Sequence, residues 1–314
     1  MKAAIIDGYQ APIEIGTVAT PELEDDSVLL AVHAAGINPI DDILRSGDMK
    51  DMMPLTFPHV MGYDVSGTVV DVGKDVTRFQ VGDAVFARPN REDAGAIAEF
   101  ARVRASELAH KPTTLSHVEA ASVPLAGLTA WQALITRGKL KAGEKVLIHA
   151  GSGGVGTFAI QIARHVGAHI ATTCSGRHAD LVRSLGADVV IDYETEVFDE
   201  LLSDYDLVFD MLGGDILKRS FKVLKPGGMM VSIKGQDTEE LAPEFGVRFD
   251  WFLMDPDGAM LGELGRLIDA GAVQPIVGRT FPMEQSGAAY VELANGHAAG
   301  KIVVTVGSAS SLRH

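Results

Sequence analysis

Two hydrophobic rhythms meet near residue 115 of this chain. Before that point, short β-branched runs are broken by Gly, Pro and Asp, as at 28–33 (VLLAVH), 67–72 (GTVVDV) and 83–87 (DAVFA). Such runs predict the strands of a small, irregular β domain. After it, apolar strands alternate with helical stretches, the pattern of βαβ units on a parallel sheet. The first unit reads 145–149 (KVLIH), a glycine turn, and a helix in which Val155, Phe158, Ala159, Ile162, Ala163 and Val166 share one face. Gly167 suits the stop of that helix. Further strands are expected at 169–174, 188–191, 206–211 and 229–233, with a helix at 179–185 ended by Gly186. Lys225-Pro226-Gly227-Gly228 predicts a turn. A helix from about residue 255 and strands at 274–281 and 301–306 follow, so the last segment is expected to rejoin the first domain.

Composition narrows the function classes. With 314 residues the chain suits two domains and an ample core. Its 27 basic and 42 acidic residues give a formal charge of −15, which repels nucleic acid and anionic membranes at long range. The one cysteine, Cys174, excludes an intramolecular disulfide and a four-cysteine zinc site. The opening MKAAIIDGYQAP turns polar after six residues, and no run approaches a membrane span, so a cytoplasmic location is expected.

The glycine turn carries the first specific chemistry. Gly151, Gly153 and Gly156 fit G-x-G-x-x-G, and with Ser152, Gly154 and Val155 they lie between an expected strand and an expected helix. There the glycines let backbone approach a pyrophosphate, and the helix N-terminus offers N–H groups and a positive dipole end. The second strand ends in Cys174-Ser175-Gly176-Arg177, with no carboxylate before Asp180. NAD enzymes usually place an acid there. Ser175 and Arg177 instead suit a 2′-phosphate, so NADPH is the expected cofactor. A rival reads Ala150–Gly154 as a hydrolase nucleophile elbow on Ser152, with His297 as its histidine.

Six stretches then occur in order: AAGINPIDDILRSG, GYDVSGTVVDVG, ASVPLAGLTAWQAL, AGSGGVGTFAIQIAR, RSLGADVVIDY and GKIVV. Over essentially the whole length they resemble the medium-chain dehydrogenase/reductase superfamily. More closely they resemble its zinc-free branch of quinone oxidoreductases and NADPH-dependent alkenal/enone reductases. The resemblance implies an α/β fold: a GroES-like β domain at 1–118 and 259–314, and a Rossmann doubly wound parallel-sheet domain at 119–258. It places the active site in the cleft between the two domains. In the zinc branch a Cys and a His hold the metal at the slots filled here by Asn38 and Tyr63. Both are poor zinc ligands, and no second or third Cys exists, so no metal is expected.

Without a Lewis acid, alcohol oxidation loses its main support, whereas quinones and α,β-unsaturated carbonyls are already electron-poor. The resemblance therefore implies hydride transfer from NADPH to a quinone or an enone β-carbon. Tyr63 and Asn38 are the catalytic candidates, as hydrogen-bond donors to the carbonyl or as guides for the nicotinamide. By family position, Thr129 and Gly127 lie near the nicotinamide, Tyr193 near the adenosine, and Leu212 and Gly213 beneath a ribose. Ile233 and Lys234 sit at the next strand end, and Lys301 near the cofactor. Trp251 and Phe252, in the run RFDWFLM, are candidates for the substrate wall. Asp41, Asp42, His59, His110 and His117 are read as structural. A small-molecule partner follows, and a homodimer stands as family analogy. The alternative class is a non-catalytic NADPH-binding sensor or crystallin-like protein.

Overall fold

The computed structural model describes residues 1–307 apart from 94, 235, 297 and 298, and the backbone alone at 236 and 237. The chain divides into two compact units. The first comprises Met1–Leu128, Pro256–Ala270 and Pro275–His314, and the second Thr129–Asp255 and Gly271–Gln274.

The first unit opens with β1 (Lys2–Ile6), β2 (Glu14–Thr17) and the long β3 (Ser27–Ile37). Helix α1 (Pro39–Ser46) follows at once, because Pro39 fits the first helical position and the Asp41 carboxylate accepts the Asn38 N–H at 3.0 Å. Gly47, at φ 85°, ends it. Next come β4 (His59–Val60), β5 (Asp64–Val72), β6 (Ala84–Ala87), β7 (Phe100–Arg104) and β8 (Leu108–His110). Helices α2 (His117–Ala121) and α3 (Pro124–Trp131) lead onward. The domain boundary implied by the resemblance, at 118/119, falls inside α2, whereas the compact units divide at 128/129, and α2 packs on β3 and β5.

The second unit carries β9 (Lys145–Ile148), α4 (Gly154–Val166), β10 (His169–Cys174), α5 (Ala179–Leu185) and β11 (Val189–Asp192). It continues with α6 (Phe198–Leu201), β12 (Tyr205–Asp210), α7 (Gly214–Ser220), β13 (Leu224–Ser232) and β14 (Arg248–Trp251). Among the described residues these strands form one parallel sheet in the order β11-β10-β9-β12-β13-β14. The order reverses between β9 and β12, which makes it the doubly wound Rossmann arrangement. Leu147, Val208, Leu217, Phe221 and Met230 are buried in its core. The expected turn at Lys225-Pro226-Gly227-Gly228 lies instead within β13. Its register on β12 shifts between Tyr205 and Leu207, and Gly227 takes φ 75° to accommodate the irregularity.

The chain then returns to the first unit through α8 (Gly258–Asp269), β15 (Val277–Pro282), α9 (Ser286–Asn295) and β16 (Lys301–Thr305). β16 joins the sheet antiparallel to β3, Ile302 opposite Ile37, in the order β15-β16-β3-β5-β6-β8, with β7 also on β3. β2, β1 and β4 form a second small sheet. Ile6, Leu30, Val65, Val85, Met283 and Tyr290 belong to the core of this unit.

Candidate functional site

In the second unit the glycine turn follows β9 at the point where strand order reverses, the place where doubly wound sheets bind ligands. A Cβ on Gly156 would collide with the Ala150 carbonyl, and one on Gly151 with the Thr172 hydroxyl. Only glycine fits at either position. Ala150 itself sits at φ 51°, a left-handed conformation that a non-glycine residue holds only when its surroundings fix it. A buried relay does so. Ser220 Oγ donates to the Ile216 carbonyl at 2.7 Å, so His149 Nε2 must donate to Ser220 at 2.8 Å. His149 Nδ1 then accepts from Thr173 Oγ1 at 3.1 Å, and Thr173 accepts the Ala150 N–H at 3.1 Å. Burial lowers the His149 pKa to about 3, so this imidazole stays neutral, as the relay requires.

Ser152, Gly153, Gly154 and Val155 remain partly accessible, and no side chain caps the N-terminus of α4. Its orphan N–H groups therefore present an anion site. Beyond β12, the Asp210 carboxylate accepts the N–H groups of Leu212 at 3.2 Å and Gly213 at 3.1 Å, and the Ser232 hydroxyl at 2.7 Å. This fixes the Gly213 turn at φ 73° and leaves the Leu212 side chain exposed. Ile233 is half-buried and Lys234 exposed at the end of β13. At the end of β10, Cys174 and Ser175 are buried, while Gly176 and Arg177 are exposed. Tyr193 is exposed at the end of β11. Trp251 is half-buried, and Phe252 is buried beneath the Arg137 guanidinium, 4.5 Å above its ring. Thr129 is buried.

In the first unit a second constellation forms around a buried carboxylate. Asp64 accepts the Asn38 Nδ2–H at 3.0 Å and the Leu125 N–H at 2.8 Å, and lies 3.4 Å from the Lys301 ammonium. Lys301 also donates to the Ile37 carbonyl at 2.9 Å and to Asn38 Oδ1. Both ends of the Asn38 amide are thus engaged, and Lys301, expected beside the cofactor, has its ammonium held inside this cluster. Burial raises the Asp64 pKa, and Lys301 and Asn38 oppose the rise. Asp41 accepts from Tyr290 Oη at 3.0 Å, yet its Oδ1 has no hydrogen-bond partner among the described residues. Burial raises the Asp41 pKa to about 7.

Tyr63 sits between β4 and β5, placed by Gly62 at φ 93°. It is buried, its hydroxyl has no hydrogen-bond partner among the described residues, and the Arg88 guanidinium lies 5.2 Å over its ring. Burial, then the charge of Asp41, push its pKa up, so the phenol keeps its proton. Gly127 makes room for a neighbour within the first unit, since a Cβ there would collide with Leu264 of α8. Tyr290 lies in the buried cluster of the first unit, and Asp192, opposite Cys174 and against Gly176, lies beside the end of β10, without either having stood out from sequence. Tyr290 sits far along the chain in a helix of low amphipathicity, and Asp192 belongs to a different strand from the motif it neighbours. His297 lies outside the described residues, and Ser152 makes no hydrogen bond to a histidine among the described residues.

Two family models match the chain, "Alcohol dehydrogenase GroES-like domain" over residues 24–113 and "Zinc-binding dehydrogenase" over residues 185–304. A Danio rerio protein named NAD(P)H oxidoreductase RTN4IP1, mitochondrial, is 37% identical over 90% of this chain and 84% of its own. An Arabidopsis thaliana NADPH-dependent alkenal/one oxidoreductase, chloroplastic, is 38% identical over 91% of this chain and 74% of its own. The solved quinone oxidoreductase from Coxiella burnetii superposes with a TM-score of 0.90 at 34% identity, covering 98% of this chain and 99% of its own. The chain belongs to the medium-chain dehydrogenase/reductase superfamily, in its zinc-free branch. Among the described residues no group of three or more His, Cys, Asp or Glu is placed to hold a metal ion, and no helix is long and apolar enough to cross a membrane.

Two outcomes follow from the buried cluster. Lys301→Met strands the Asp64 charge and should cost about 3–5 kcal/mol in denaturant unfolding, with much of the loss recovered in the Lys301→Met, Asp64→Asn double variant. Asp41 binds its proton more tightly folded than unfolded. Its contribution to stability should therefore decline from the ordinary carboxylate value toward pH 7, by up to about 1.4 kcal/mol per pH unit. Urea unfolding across pH 4–8 should show the wild-type slope and a flatter profile for Asp41→Asn.

Proposed function

We propose that the protein is an NADPH-dependent, zinc-independent reductase whose acceptor is a quinone or an α,β-unsaturated carbonyl. The observation that carries this reading is the pair of residues at the metal-ligand slots. Asn38 has both ends of its amide engaged with Lys301 and Asp64, and Tyr63 keeps its phenolic proton. A protonated phenol and an amide already engaged at both ends are poor ligands for a dication. The relatives' names, alkenal/one oxidoreductase and quinone oxidoreductase, point to the same acceptors.

The residues fit a dinucleotide. The uncapped N-terminus of α4 suits the pyrophosphate, and the glycines bring backbone close to it. Ser175 and Arg177 flank the end of β10, where they would hold a 2′-phosphate. When bound, the dihydronicotinamide supplies the hydride. The Tyr63 hydroxyl, buried without a partner, would donate a hydrogen bond to the acceptor carbonyl as negative charge develops on it. Asn38 is a positioning residue in this scheme, holding Lys301 and Asp64 rather than touching substrate.

The test is NADPH oxidation by purified, chelator-treated protein, with 1,4-benzoquinone, 9,10-phenanthrenequinone and 3-penten-2-one as acceptors and NADH in parallel. Turnover should survive chelation and run faster with NADPH, and the preferred acceptor separates quinone from enone. Activity restored only by zinc would sink the metal-free reading. Tight binding of NADPH without turnover on any acceptor would make the protein a dinucleotide-binding module. Tyr63→Phe should lower kcat by roughly 100-fold with little change in the KM for NADPH.

A further inference from the structure

The end of β10 carries no acid of its own, but the fold supplies one from the adjacent strand. β10 and β11 run parallel with Cys174 opposite Asp192, so Asp192 ends β11 level with the last residue of β10. Gly176, just past that end, lies against it. A Cβ on Gly176 would stand 3.2 Å from Asp192 Cγ and would collide with Oδ2. The other oxygen, Oδ1, accepts the Glu194 N–H at 3.1 Å, which holds the carboxylate in this orientation. The Asp192 N–H in turn donates to Glu196 Oε2 at 2.8 Å. Three acids therefore gather in the loop after β11, beside the turn Ser175-Gly176-Arg177. The field of Asp192 reaches the strand end, where burial and then this charge raise the Cys174 thiol. Among the described residues no ion pair joins Asp192 to the exposed Arg177, so that cation does not neutralise the carboxylate.

The two charges act oppositely on the two cofactors. A ribose 2′-hydroxyl can donate to a carboxylate, whereas a 2′-phosphate close to one is repelled. Arg177 attracts the phosphate and gains little from the hydroxyl. We infer that Asp192 is a specificity-determining residue of the dinucleotide site: it favours the 2′-hydroxyl of NADH and restrains the preference for a 2′-phosphate that Ser175 and Arg177 create. The inference rests on the cofactor reading above. It makes the wild-type protein a user of both cofactors, with a modest lean to NADPH, and it gives Gly176 its reason, since any side chain there would displace the carboxylate.

Calorimetric titration of the full chain tests it, with NADPH and NADH as ligands. Adenosine 2′,5′-bisphosphate and 5′-AMP serve as probes that differ only in the 2′-phosphate. Asp192→Asn should raise the preference for the 2′-phosphorylated member of each pair roughly tenfold, equivalent to about 1.4 kcal/mol. Asp192→Ser keeps an acceptor for the Glu194 N–H while removing the charge, so it should give the same shift, and it carries the test if Asp192→Asn does not fold. Arg177→Ala should move the preference the other way. An unchanged preference in the folded Asp192 variants, with NADPH still bound, would overturn the assignment alone. A wild-type chain that binds neither dinucleotide would overturn the cofactor reading and this assignment with it.

Discussion

A buried ion pair organises the first unit. Asp64 and Lys301 are both enclosed and lie 3.4 Å apart, and around them gather Asn38, the Ile37 carbonyl and the Leu125 N–H. Such a pair adds little net stability, because desolvating two ions offsets most of their attraction, but breaking it is costly. Its consequence here is register. Lys301 opens β16, and its ammonium reaches the end of β3, so the last strand to join this sheet is matched to the earliest strand of the same sheet. A slip of one residue would turn Lys301 to the opposite face and leave Asp64 buried without a counter-charge. The pair therefore sets where the final strand docks, and with it the positions of Asn38 and of α1 beyond it.

The second unit also fixes backbone with buried polar side chains, but without a buried ion pair at these positions among the described residues. Two turns at the carboxyl ends of its central strands are fixed by buried polar side chains. The neutral relay through His149, Thr173 and Ser220 holds Ala150 in a left-handed conformation at the mouth of the glycine turn. Asp210 holds Leu212 and Gly213 in the same way, with its own pKa raised by burial. These side chains turn irregular backbone into rigid backbone at the two strand ends where the sheet order reverses. That rigidity is what a phosphate cradle requires, since N–H groups that had to reorganise on binding would forfeit affinity.

Legibility from sequence follows the range of the physics involved. The parallel sheet was readable because each βαβ unit is local: the helical face from Val155 to Val166 and the stop at Gly167 lie within one unit. The tetrad Lys225-Pro226-Gly227-Gly228 keeps its local turn character inside β13: Leu224 pairs with Tyr205 and Met229 with Leu207, so the four residues between form the break in register, with Gly227 at φ 75°. The buried cluster was half visible. Asn38, Tyr63 and Lys301 stood out through family position, but Tyr290, which meets Asp41 from 249 residues away, had no local signal. Asp192 was hidden for a related reason. The search for an acid at the cofactor's ribose follows β10 along the chain, whereas the acid arrives sideways from β11.

Losing a metal changes what the residues at its place must do. A catalytic dication would polarise a carbonyl strongly and would lower the pKa of whatever it bound. In this chain the buried carboxylate Asp64 is compensated by a single ammonium, and the amide of Asn38 is locked between them. What remains unpaired at the old ligand slots is one phenol. Burial raises the Tyr63 pKa, so its proton stays bound through neutral pH and the group has a hydrogen to donate rather than a basic oxygen. A donor of that kind stabilises charge only modestly compared with a metal. On the reductase reading, this is why the acceptor must bring its own electron deficiency. It also argues that Tyr63 is not the source of the proton that completes an enone reduction, because a phenol with a raised pKa gives up its proton less readily, not more. On that reading Tyr63 would hold the developing charge on oxygen, and the proton would come from another donor such as solvent.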